Sequence, residues 1–336
     1  MKRRCLADMV NRACAGLAAL FLIGSILGGC RSLPDTSGYT TATIQVKQAV
    51  ATIGEVVQAE LVSAIDAKAT AADHASVKRF EAAWAATVGS LDAMVVHAQS
   101  IEEIVDAGSE GAKSAIKVAD SVKTLVDAAK VDATTAVSGE LVQLSTDTVA
   151  FVYGEYSKYV AAKSLAGALD RFGPSMAKIN GLVQAQIKDA QRLFVQQINA
   201  QVNRLEADSA GYGAWIKQND KLNKQAETAV ALLGRAISEG DDPNIAMAQK
   251  MIADTEIGRE AIAPRLAEYE AKLSALRQRE KAGRSILGAA ANAIAAWGTT
   301  HEQLAQAVRD CKPVSVESLI AAVVEIRTLT QRWREL

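Results

Sequence analysis

Apolar residues recur at intervals of three and four along most of the chain, a spacing that predicts amphipathic helices. A first stripe runs through Val46, Val50, Ile53, Val57 and Ala64, and a second through Val77, Phe80, Trp84, Val88, Leu91, Val95, Ala98, Ile101 and Val105. Both lie in a segment from Thr40 to Ala107, and the polar stretch from Lys68 to Ala75 leaves open whether this is one helix or two. Gly108-Ser109-Glu110-Gly111 reads as a loop. From Ala112 to Phe172 the stripe resumes through Ile116, Ala119, Val122, Val126, Ala129, Ala133, Leu141, Leu144, Thr148, Phe151, Tyr159, Ala162, Leu165 and Leu169, weakest at Val137-Ser138-Gly139. Gly173-Pro174 is expected to end it, since proline disfavours a helical predecessor.

The next stripe holds Met176, Ile179, Val183, Ile187, Ala190, Phe194, Ile198 and Leu205. It keeps its register past Gly211 and Gly213 through Trp215, Leu222, Ala226, Ala229, Leu233 and Ala236. Gly240-Asp241-Asp242-Pro243 stops it, and a short helix is expected from Asn244 to Asp254. The cleanest pattern follows. Ile262, Leu266, Tyr269, Leu273, Leu276, Glu280, Gly283, Leu287, Ala290, Ile294 and Trp297 alternate by four and three, a heptad seam. It extends through His301, Leu304 and Val308, with Gly298-Thr299-Thr300 as the point where it would break. The seam is expected to pack antiparallel against the segment from Met176 to Ala236, because the turn between them is short. Lys312-Pro313 ends it, and a last helix follows Ser315 and Ser318 to about Trp333. All five prolines then sit at or near helix ends, or outside helices. The fold class is therefore all-α, an elongated bundle of long antiparallel helices with coiled-coil-like seams over residues 40–311, with a C-terminal helix, 312–336, packed on it. Abundant alanine and only 4% aromatic residues favour helix over sheet and imply a thin, long core.

The first residues follow another logic. Lys2, Arg3, Arg4 and Arg12, against one acid, Asp8, precede an apolar run from Ala13 to Cys30. A basic head, an apolar stretch and small residues before a cleavage point make a secretory leader. The run closes on Leu27-Gly28-Gly29-Cys30, which resembles the lipobox of bacterial lipoproteins. That resemblance implies that residues 1–29 are a signal peptide and that Leu27, Gly28 and Gly29 form the signal-peptidase recognition sequence. Cys30 would carry diacylglycerol on its sulfur and palmitate on its new amine. It places the chain in the bacterial cell envelope, held to a membrane by the lipid. Arg31, where aspartate would favour inner-membrane retention, points to the outer membrane facing the periplasm. Residues 30–39, with Pro34, Ser37 and Gly38, would be the lipidated tether. Two alternatives are an uncleaved anchor, for which Ala13 to Gly29 is short and rich in glycine, and an ordinary secretory leader. The residues around Arg3-Arg4 match twin-arginine export poorly.

Removing the leader takes four basic residues and one acid, which moves the formal charge from −1 to about −4. A weakly acidic body has no footprint for nucleic acid and no polybasic patch for anionic lipid. Cys5 and Cys14 leave with the leader and Cys30 would be lipidated. The mature chain is thus expected to hold no internal disulfide, and Cys311 to be a buried small hydrophobe.

Chemical motifs are scarce. None of the three histidines, His74, His97 and His301, has a second His, Cys or acid at ligand spacing. His301-Glu302 opens like a zinc-protease motif, but Ala305 stands where the second His belongs, so neither a metal nor a cofactor is expected. Ser114 with Lys117 and Ser175 with Lys178 match Ser-x-x-Lys, yet the companion Ser-Asp-Asn and Lys-Thr-Gly motifs are absent. Ser175 after Gly173-Pro174 reads as a helix entry. Tyr153, Tyr156 and Tyr159 fall at intervals of three and would form either a partner-binding strip or the flank of the bundle. The expected function is that of a non-enzymatic lipoprotein with a structural or partner-binding role toward another envelope protein. Two alternatives remain: a membrane-active bundle similar in outline to the α-helical pore-forming toxins, or an enzyme without a recognisable motif. For the former, Ile286 to Trp297 comes nearest to an insertion segment, but it is too short to span a bilayer.

Overall fold

The computed structural model describes residues 33–63, 70–108, 111–131, 138–207 and 211–336. Among these every regular element is a helix: α1 (Ser37–Ser63), α2 (Ala71–Asp106), α3 (Ala112–Ala129), α4 (Gly139–Val160), α5 (Leu165–Ala207), α6 (Tyr212–Glu239), α7 (Asp242–Asp310) and α8 (Glu317–Arg334). They form an all-α bundle. The segment from Thr40 to Ala107 is two helices, and α2 opens on a capping box in which Thr70 and Asp73 satisfy each other's backbone N–H. α1 begins three residues before the expected Thr40, with Tyr39 fully buried. Pro34 and Thr36 are buried as well, so the expected tether is already packed from there on.

The segment from Ala112 to Phe172 divides into three pieces. Ser138 caps α4 by accepting the Leu141 N–H, and Ser164 accepts the Gly167 N–H where α5 begins. The second break thus falls at residues 161–164 and not at Gly173-Pro174: α5 runs straight through Pro174. Proline leaves the carbonyl four residues earlier without its donor, but Asp170 and Pro174 are both exposed, so water can serve that carbonyl. Pro264, expected near a helix start, likewise lies inside α7, and both it and Glu260 are exposed. Two of the five prolines are therefore interior. The register expected to continue past Gly211 and Gly213 is broken instead, with α5 ending at Ala207 and α6 starting at Tyr212.

α7 is a single helix of 69 residues, roughly 100 Å long. The short helix expected at Asn244 is its first turns. Asp241 caps it, and Pro243 sits in the first turn, where its missing N–H does no harm. Its buried positions run from Ala248, Thr255, Ile262 and Tyr269 to Gly283, Leu287, Ala290, Ile294, Trp297, His301, Leu304 and Val308, with no interruption at Gly298-Thr299-Thr300. Leu273 and Leu276 are only half-buried.

The chain turns at Gly240, whose left-handed φ of 68° ends α6. α7 then runs back antiparallel along α6 and α5 in succession. Gly258 lies opposite Leu222, the Tyr269 and Tyr212 rings are 5.4 Å apart, Gly283 faces Phe194, and Arg309 pairs with Asp170. The expected antiparallel packing of the seam is present. α1 joins α2 and α7, α3 lies against α2 and α5, α4 against α3 and α5, and α8 against α7 and α1. One continuous core unites these helices, including Ile286 to Trp297, which is packed inside it. Among the described helices α6 touches only α5 and α7. Its buried Leu222, Ala229 and Ala236, with Ala248 and Ile262 of α7, lie outside that core. The molecule is therefore a many-helix body from which a two-helix arm projects.

Cys311 departs from expectation. It is half-buried, ends α7 in a left-handed conformation (φ 52°), and its sulfur is engaged in a disulfide. Ile116 and Leu144, counted in the apolar stripe, are exposed.

Candidate functional site

Leu27, Gly28, Gly29 and Cys30 lie outside the described residues. Ser175, expected at a helix entry, is fully buried in the middle of α5 and bonded to the Tyr159 hydroxyl. Its companion Lys178 points away, onto the Phe151 ring at 4.8 Å. The Tyr153 and Tyr156 hydroxyls donate to Asp127 (2.8 Å) and Asp120 (2.6 Å) of α3, while Tyr159 packs at a tilt on Phe172, 4.3 Å between ring centroids. The three tyrosines thus fasten α4 to its neighbours. Each phenol is raised above its ordinary value, Tyr153 and Tyr156 by the carboxylate they bond and Tyr159 by burial.

The polar centre that sequence spacing does not reveal is made by His97 and His301, 204 residues apart on α2 and α7. Their side chains are 0% and 1% exposed, and their Nε2 atoms are 3.0 Å apart. The third histidine, His74, is exposed and remote. Ser121 of α3 donates its hydroxyl to the Val118 carbonyl at 2.8 Å, so it accepts from His97 Nδ1, also at 2.8 Å. His97 Nε2 is then bare and accepts the Nε2–H of His301, which assigns both tautomers. His301 Nδ1 is left as a buried acceptor and Tyr39 Oη as a buried donor, neither with a hydrogen-bond partner among the described residues. Trp297 closes the cluster, 5.6 Å from His301 and 6.1 Å from Tyr39, and donates its indole N–H to Thr43 at 3.1 Å. The cluster therefore joins α1, α2, α3 and α7.

Burial dominates the electrostatics. It drives His97 well below its ordinary value, helped by the facing His301, and pushes His301 down to about 4. It also drives the Tyr39 phenol up. Both imidazoles are neutral at pH 7. The serine is no activated nucleophile in this tautomer, because it accepts from the imidazole and is sealed from solvent. Among the described residues no group of three or more His, Cys, Asp or Glu side chains is placed to hold a metal ion. A second polar knot ties the start of α2 to α5. Asp73 accepts from Arg204 at 2.7 Å and from Gln197 at 3.3 Å; burial raises its carboxyl, but these and the Thr70 hydrogen bonds outweigh it and hold it well below the usual range.

The surface offers shallow grooves, one of about 520 Å³ along the arm between Lys217, Lys221, Lys224 and Met251. Among the described residues no helix is long and apolar enough to cross a membrane. No family model, no curated protein and no solved structure matches this chain.

Proposed function

We propose that this is a lipid-anchored, non-enzymatic helical protein of the bacterial envelope, held through Cys30 in the outer membrane and presenting its bundle to another envelope protein. The observation that carries the reading is the ordered leader, with its basic head, apolar run and closing Leu27-Gly28-Gly29-Cys30. On this reading the lipid lies close to the body. Leu33 already rests on the core, so only two residues separate it from Cys30, a reach of about 10 Å. A lipid at that position holds the body close to the bilayer, and the arm extends along the far part of α7.

Cys30→Ser tests this directly. The expected result is a precursor uncut before residue 30 and released from membranes, read by mass spectrometry and fractionation. Normal processing of the variant would refute the anchor. The anchor also requires that the internal Cys311 disulfide of the full-length chain be absent from the mature protein, since Cys5 and Cys14 leave with the leader and a thioether-linked Cys30 sulfur cannot make one. A reducible Cys30–Cys311 disulfide in wild-type mature protein would therefore refute it too.

A further inference from the structure

We propose that the His97–His301 pair is an acid-operated catch: taking up protons there parts α7 from α2 and α3 at the end of the body where α1 begins, while the arm stays paired. The inference does not depend on the anchor.

The geometry makes the neutral pair cohesive and the charged pair repulsive. In the neutral state one N–H lies between two nitrogens 3.0 Å apart, and the Ser121 hydroxyl and Val118 carbonyl complete the chain. One added proton places a full charge in a cavity that water does not reach. A second forces two N–H groups head-on.

Among the described residues no acid is placed to neutralise either charge. α1 contributes Tyr39 and Thr43, α3 Ser121, and α7 itself Trp297 and Thr300; α8 reaches Thr300 only with Ser318, and α5 meets Gly298 with Asn180. The charged residues beside them in sequence, Asp120 and Glu302, are exposed. Lys47 pairs with Asp92, and Lys117 with Glu103, away from the rings on the surface. Burial lowers both histidines, and at His97 the facing His301 adds to it. The depressed values set the sign. The unfolded or opened chain binds protons below about pH 6.5 while the closed core does not, so the closed form loses ground as pH falls from there toward 4. Each ring contributes up to about tenfold per pH unit to the opening equilibrium.

Hydrogen exchange of the full chain, corrected for the chemical rate, tests the catch at pH 7.5 and 5.0. Peptides spanning residues 36–50, 95–107 and 293–308 are expected to open at least about tenfold more at pH 5.0. Peptides of the arm, residues 220–262, should not change. In His97→Gln and His301→Gln the acid-dependent part should shrink. Acid sensitivity spread evenly over the chain, or undiminished in both variants, would overturn the proposal. Should neither variant fold, the wild-type imidazole NMR signals decide. Two rings that stay neutral below pH 6 and then change together in one cooperative step support the catch, whereas independent titration of His97 and His301 near the free-histidine value overturns it.

Discussion

At the scale of single residues the tightest constraint is Gly54. A Cβ built there would stand 1.6 Å from Trp84 Nε1, and the indole is buried against α1 and stacked on Phe80 at 5.9 Å. A flat ring wedged over a helix backbone cannot give way as a flexible chain would. Gly54→Ala should therefore lower stability by about 2 kcal/mol or more, seen as a reduced urea midpoint. Gly38→Ala, with open space around its Cα, should stay within about 0.5 kcal/mol of wild type in the same assay. The residue scale is also where sequence reading failed most. Three-and-four spacing reports which face of a helix is apolar, but it is silent on which distant helix meets that face. His301 looks like one odd residue in its stripe and His97 falls beside Ala98 of another, and only the meeting of α2 with α7 makes them a pair.

At the scale of helices the seam of α7 predicts a gradient. Leu287 is fully buried in the body, so Leu287→Ala should cost about 2–5 kcal/mol through lost burial and a residual cavity. Leu273 is half-buried where the arm meets the body, and Leu273→Ala should cost only about 1–2 kcal/mol. Comparing the two denaturation midpoints checks the order, and equal losses would contradict it. Pro264 is an exposed interruption in an otherwise continuous helix, and Pro264→Ala should stabilise the protein by about 1–3 kcal/mol, visible as a higher melting temperature. Helix existence was legible in the chain because burial and period agree over long runs, as from Val46 to Leu61 and from Gly283 to Val308. Helix ends were legible where side chains cap them, as at Ser138 and Asp241, or where Gly240 turns left-handed. They were misread at Pro174 and Pro264, since a proline on the solvent face costs one hydrogen bond that water restores, and packing of the opposite face outweighs it.

For the whole molecule, the division into body and arm predicts independence. The arm's seam is largely alanine, threonine and glycine, and none of its buried residues belongs to the core of the body. Excising residues 219–262 and joining the ends with a short turn should leave a helical body, with loss of ellipticity matching the residues removed and cooperative unfolding retained. Broad, non-cooperative melting of that variant would show that the arm is part of the folding unit.

α7 passes unbroken from the histidine cluster to the tip of the arm, from His301 to Asp242, a run of roughly 90 Å. That makes it a lever whose fulcrum lies in the body. A tilt of about 5° at the histidine end would swing the tip through roughly 8 Å over that length, more than one helical turn. A change too small to disturb the solvent-facing surface of the body would then be read out as a large displacement at the far end of the molecule.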